Sequence, residues 1–488
     1  MSDREIKQPS IKVNMIMNII LTVSSLLFPI ITFPYVSRVI GADGIGKVQF
    51  ATSTIAYFSM FAQLGIPTYG IRACAKVRDD KKKLSKVVQE IMILNGITCL
   101  ISYVALAIAL CLVPRFAQEK ELFIVISSTI LLNALGVEWL YKGLEQYSYI
   151  TIRSLVFKLI AVAALFLLIH SEQDYIIYGG ISIFAIAASN VLNFLNLRKV
   201  IDLRPVGNYN IRQHLKLVVV FFAMSVATTI YTNLDNVMLG FMKTDADVGY
   251  YTAAVKIKSV LVSVVTSVST VLLPRASYYV NKGLLEEFYS ITKRAMNFVI
   301  LIAVPCVIYF IIYAEEGILI LSGDKFANAV LPMQIIMPTL LFIGITNILG
   351  IQMMIPLGKE KIVLSSTICG AVVDLILNAI TIPKFGAAGA AFGTMVAELV
   401  VLIYQVAATK EMSKKVLNGI RWHIIIIATV IAALASVWVK TLSLGVFVSL
   451  LISAICFFGS YFIVLIIGKE KMVFEIIKIF IDKIKKKV

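Results

Sequence analysis

Charged side chains inside long apolar runs are the residues of this 488-residue chain best placed to do chemistry. Asp235, Lys256 and Lys258 fall within the stretch 228–260, and Lys158, Asp374 and Glu398 interrupt other apolar runs at mid-depth. Arg38 and Lys47 flank a glycine-rich turn, and Glu138 lies near the end of a fourth apolar run. An ionised group at the centre of a bilayer costs about 2.5–3.5 kcal/mol even on mild scales, so such residues face a protein interior or a water-filled cavity. Two roles are open. Lys158, Lys256 and Lys258 can neutralise Asp235, Asp374 and Glu398 in structural pairs. Alternatively the cationic surplus, with Arg38 and Lys47 included, holds an anionic head group such as a phosphate or pyrophosphate, for which lysine is a flexible point charge able to let go. Acids at this depth are also candidates for carrying a coupled proton or sodium ion. Helix geometry places Lys256 and Lys258 about 12 to 15 Å in from the outer end of their helix, pointing about 200° apart, so one of them at most faces a given cavity.

The elements that position these charges are membrane helices. With 59% hydrophobic and 15% charged residues and a mean hydropathy of +0.90, the chain reads as an all-α polytopic membrane protein. At about 20 residues per span its length accommodates about 14 transmembrane helices and little else. The polar first residues followed by an unbroken apolar run read as a first membrane helix, with no removed leader. An even number of spans puts both termini on one side. Lys and Arg concentrate at the termini and in alternate connections, which makes that side the cytoplasm of a multi-pass protein of the cell (inner) membrane. The net charge of +17 therefore follows the membrane and implies no nucleic-acid partner. Short outer connections leave no room for a catalytic domain, so no enzyme is expected. The basic connection 67–86 and the tail 468–488, with Val473, Ile476, Ile477, Phe480 and Ile484 on one helical face, suit contact with anionic membrane lipids. Six cysteines without C-x-x-C spacing and three dispersed histidines (His170, His214, His423) form no local metal pattern.

A weak internal repeat orders the helices. The stretches Gly41–Ile55, Asp245–Ile257 and Phe385–Thr394 each join a glycine-containing outer turn to small residues that start an inward helix. Two copies of six helices then share one orientation, with a cleft between them. They form an N-lobe (1–208) and a C-lobe (209–408), followed by two added helices (409–467). Pro29 and Pro34 are expected to break the first helix. GADGIGKV at Gly41–Val48 nearly matches a phosphate loop but has Val48 in place of the magnesium-binding hydroxyl and no strand before it, so no nucleotide or other cofactor is expected. Transport would draw on a proton or sodium gradient, the membrane potential or the substrate's own gradient.

Four stretches resemble a known family: PYVSRVIGADGIGKVQFA (34–51), GVEWLYKGLEQYSYITIR (136–153), NLDNVMLG with VGYYTAAVKI (233–257) and FGAAGAAFGTMVAE (385–398). They look like the Wzx-type lipid-linked oligosaccharide flippases of the multidrug/oligosaccharidyl-lipid/polysaccharide superfamily. The resemblance implies two six-helix lobes around a central cavity and alternating access. It also implies a polyprenyl-pyrophosphate-linked repeat unit moved to the outer leaflet for capsule, O-antigen or exopolysaccharide assembly, alongside other polysaccharide-assembly proteins. Arg38, Lys47, Lys256 and Lys258 match the family's cavity cations, and Glu138, Arg153 and Asp235 fall inside the matching motifs. Asn236 stands where family members often carry lysine. Competing readings are a cation-coupled drug exporter of the same superfamily, leaning on Asp235, Asp374 and Glu398, and a membrane polymerase or ligase, which the short outer turns disfavour.

Overall fold

Long apolar runs in lipid satisfy their backbone groups only by forming helices or closed barrels, and every regular element among the described residues is helical. The computed structural model describes residues 11–442 and 444–474. The tail expected to lie on the membrane surface falls mostly outside them, from residue 475 onward.

By packing, the described residues fall into two compact units, one ending at Gly249 and one beginning at Tyr250. The first contains α1 (Ile11–Gln63), α2 (Ile66–Val77), α3 (Lys81–Leu112) and the short α4 (Pro114–Gln118). It continues with α5 (Lys120–Gly136), α6 (Glu138–Gly143), α7 (Tyr147–Leu168), α8 (Tyr175–Ile183), α9 (Asn190–Val200) and α10 (Arg212–Met242). α11 (Asp245–Asn281) starts in the first unit and runs on into the second. The second unit adds α12 (Leu285–Ile312), α13 (Ala314–Ser322), α14 (Val330–Ile336), α15 (Thr339–Asn347) and α16 (Glu360–Phe385). α17 (Ala387–Ala408), α18 (Lys410–Leu417), α19 (Trp422–Val437) and α20 (Val446–Ile467) complete it. α10, beyond the repeat boundary expected at residue 208, packs against α1 and so joins the first unit.

Eleven helices among the described residues are long and apolar enough to cross a membrane, or twelve if the pair 324–336 and 339–354, bent by 45°, is one span. The difference from about 14 expected spans has two sources. The stretch Val13–Val77 counts once where two spans were expected, and α5, at 17 residues, falls short of a typical span. α1 also corrects the expectation about its prolines. The helix runs through Pro29 and Pro34, and its break is at Gly41, where φ is 75° and ψ −179°. Only glycine adopts that backbone cheaply, so one residue does the work of the expected turn.

Close helix contacts follow the small residues of the repeat motifs. A Cβ on Gly46 would overlap the Asp245 carbonyl, and one on Gly249 would overlap the carbonyl of Ala42, so the bend of α1 and the first turn of α11 touch backbone to backbone. In the second unit Gly389 and Gly393 of α17 press against Thr381 and Asn378 of α16, the small-xxx-small approach common between membrane helices. Tyrosine hydroxyls tie α19 and α20 to α12: Tyr309 donates to the Leu450 carbonyl (3.0 Å), Tyr313 to that of Ser436 (2.7 Å) and Tyr461 to that of Leu301 (2.9 Å).

Between α2, α3 and α10 lies a buried polar network. Glu90 is fully buried and accepts from the Asn210 backbone N–H (2.7 Å), Gln213 Nε2 (2.9 Å) and His214 Nε2 (2.8 Å). The Tyr69 hydroxyl lies on the other ring nitrogen, Nδ1. A neutral imidazole with its proton on Nε2 satisfies all these bonds at once. The network holds the connection between α9 and α10 onto α3, helped by Gln89 donating to the Asp202 and Arg204 carbonyls.

Candidate functional site

The expected charges fall into separate groups. At the α1 bend, Lys47 Nζ is 3.0 Å from Glu119 and 3.3 Å from Asp43, above the ring of Tyr175, whose hydroxyl donates to Glu119. Beside it Arg115 pairs with Asp245 and donates to the Gly240 carbonyl. The lysine of the near-phosphate-loop thus sits among carboxylates. Arg38 folds back to the Pro34 carbonyl of its own helix. Lys158 is buried on α7 and donates to Ser24 Oγ (3.0 Å) and Ser25 Oγ (2.7 Å) of α1, so hydroxyls replace part of its lost hydration. Glu138 bridges Lys142 (2.7 Å) and Arg153 (3.8 Å), and Arg153 also donates to the Ser189 carbonyl (2.7 Å).

Asp235 is buried on α10 beside the equally buried Asn236. In the second unit Lys256 and Lys258 are half-buried on α11, while Asp374 of α16 and Glu398 of α17 are buried. Gly393 brings the α17 backbone close to both Asn378 and Asp374. Outside the spans, Asp80 caps α3 by accepting from the backbone N–H groups of Lys83 and Lys82, both at 3.0 Å. The Lys83 amide bond, foremost, holds its carboxyl below the usual range.

A cavity of about 340 Å³ opens within the first unit. Three helices supply its polar lining: Thr52, Ser59 and Gln63 of α1, Thr129 and Asn133 of α5, and Ser225, Thr229 and Asn233 of α10. Ile55, Met60, Ile126, Ile183 and Ile186 are among its apolar residues, and among the described residues no charged side chain lines it. Its surface is therefore hydroxyl, amide and hydrocarbon.

None of the charged residues singled out from the sequence is among the residues lining this cavity. A signal for it was present: Ser225, Thr229 and Asn233 recur every four residues along α10, and Ser59 and Gln63 do so along α1, which puts each set on one helical face. Glu119, Arg115 and Asp245 were missed because an ion pair between residues far apart in the chain leaves no spacing pattern.

Comparison with known proteins agrees with this architecture. Residues 11–280, more than half of the chain, match the family described as "Polysaccharide biosynthesis protein". A relative named "Putative O-antigen transporter" from Escherichia coli (strain K12) is 24% identical over 397 residues, covering 80% of this chain and 95% of its own. A solved structure of the lipid II flippase MurJ in an inward closed conformation superposes with a TM-score of 0.76 at 15% identity, covering 94% of this chain and all of that one. An inward-facing multidrug transporter of the MATE family follows at TM-score 0.56 and 14% identity, covering 83% and 99%. The fold is thus that of MurJ and the MATE transporters, and by its sequence the chain belongs to the polysaccharide biosynthesis protein family.

Proposed function

We propose that this protein is a flippase that carries a polyprenyl-pyrophosphate-linked oligosaccharide from the inner to the outer leaflet of the cell membrane, for assembly of a surface polysaccharide. The observation that carries the reading is the family match over residues 11–280, in agreement with the O-antigen transporter name of its relative. Physical chemistry supplies the need. Each unpaired hydroxyl taken from water into hydrocarbon costs about 4–8 kcal/mol and an ionised phosphate far more, so a glycan head group does not cross a bilayer unaided. A polar route through a helical protein removes most of that cost while the polyprenyl tail stays in lipid.

In this reading Lys256 and Lys258 of α11 supply the positive charge that meets the pyrophosphate, one of them at a time. Lys47 and Lys158 have a different role, because their carboxylate and hydroxyl partners favour holding helices together. Asp235, Asp374 and Glu398 are the residues through which a proton or sodium gradient would act. Both termini lie in the cytoplasm and access alternates between the two faces of the membrane. The decisive experiment is reconstitution into proteoliposomes with a fluorescent polyprenyl-pyrophosphoryl glycan, scored for the leaflet it reaches with and without ion gradients. Transfer above the rate of protein-free vesicles is expected, and transfer at the protein-free rate refutes the proposal.

A further inference from the structure

The cavity of the first unit has a chemistry that the charge-based reading does not use. Gln63, Thr129, Asn133, Ser225, Thr229 and Asn233 project neutral donors and acceptors from α1, α5 and α10. Such groups in a membrane helix need partners. Some have them: Gln63 donates to Ser59 Oγ (3.0 Å), Asn133 accepts from Asn190 (3.2 Å) and Asn233 donates to the Thr229 carbonyl (3.1 Å). Each of these bonds uses part of an amide's four-bond capacity and leaves the rest for an occupant. The lining selects that occupant by elimination. A pyrophosphate calls for cationic donors, and the lining has none. A hydrocarbon chain calls for no polar groups, and the lining has eight polar residues among its fifteen. A sugar ring matches: each hydroxyl both donates and accepts, and its C–H face packs on Ile126, Ile183 and Ile186. The volume of about 340 Å³ lies at the lower end of the range of about 300–1,000 Å³ typical of ligand pockets.

We infer that this cavity is a glycan-recognition subsite that takes an uncharged sugar of the lipid-linked substrate and discriminates between repeat units by their hydroxyl pattern. The inference rests on the flippase reading and assigns the recognition of its sugars to the first unit. A site built to hydrogen-bond hydroxyls rejects ligands lacking them because its own polar groups are then stranded.

The test measures binding of two probes by the full-length protein in lipid nanodiscs: the lipid-linked glycan extracted from the native membranes, and bare polyprenyl pyrophosphate. The triple variant Thr129→Val/Ser225→Ala/Thr229→Val removes three hydroxyls at nearly constant shape. It is expected to shrink the wild-type preference for the glycan-bearing lipid about tenfold or more. Gln63→Met serves as a second, independent variant with the same expected direction. A preference unchanged in both variants overturns the inference and leaves the cavity as hydrated packing. A wild type that binds both probes equally also overturns it, while a wild type that binds neither overturns the flippase reading itself.

Discussion

Replacing Glu90 with alanine removes the acceptor of three hydrogen bonds at once, and their surroundings set the cost. Asn210 and Gln213 are exposed, so water can take up their N–H groups. His214 is 3% exposed, so its Nε2–H is left without an acceptor. A stranded buried donor costs about 1–3 kcal/mol, and because the lost acceptor is a carboxylate the loss is set at the upper end, near 3 kcal/mol. At roughly 2–4 °C per kcal/mol for a unit of this size, Tm should fall by about 6–12 °C. The assay is thermal unfolding of the detergent-solubilised protein followed by tryptophan fluorescence. Glu90→Gln, which keeps the shape and one acceptor, should fall by less. His214→Leu should also fall by less, because Glu90 retains two donors. The double variant Glu90→Leu/His214→Leu removes both stranded groups and should recover much of the loss, since a well-packed apolar replacement of a buried pair is often neutral. A Glu90→Ala protein as stable as wild type, or a double variant that falls by as much as Glu90→Ala and His214→Leu added together, would refute the reasoning.

Three further outcomes are expected. Reversing Lys256 to glutamate should abolish surface polysaccharide in complemented cells while the protein is still made and inserted, and unchanged polymer on an immunoblot would count against the cationic role of α11. Gly389→Ala sets a methyl against the Thr381 backbone whereas Gly393→Ala meets the side chain of Asn378. Both should destabilise by about 1–3 kcal/mol, but Asn378→Ala should rescue only the second in thermal unfolding. Asp80, whose carboxyl is held low chiefly by the Lys83 amide, contributes stability above its unfolded pKa and loses it as the pH falls through its folded value. The Tm gap between wild type and Asp80→Ala should therefore close on acidification, and a gap that widens instead would contradict this cap.

Much of the fold was legible in the sequence because bilayer physics leaves so few options. Apolar runs of spanning length became helices, and the motif glycines became bends and close contacts, with Gly41 and Gly393 the clearest cases. Chain continuity was harder to read. Hydropathy dips at Arg38–Lys47 because polar residues cluster there, yet one glycine turns the backbone without ending the helix. The site was less legible for a different reason. Charge draws attention because its desolvation is so costly, and in the first unit that same cost has led Lys47 and Lys158 to partners. Neutral polar residues such as Ser225 and Thr229 carry little cost individually, and they stand out only once three helices bring them around one cavity.

The contact between the α1 bend and the start of α11 sets Gly46 against the Asp245 carbonyl and Gly249 against that of Ala42. Backbones this close leave no volume for a β-carbon at position 46 or 249, so the approach is set by the absence of a side chain. A side chain at either position would therefore act as a wedge between the two helices, at the point where Arg115 of α4 also reaches Asp245.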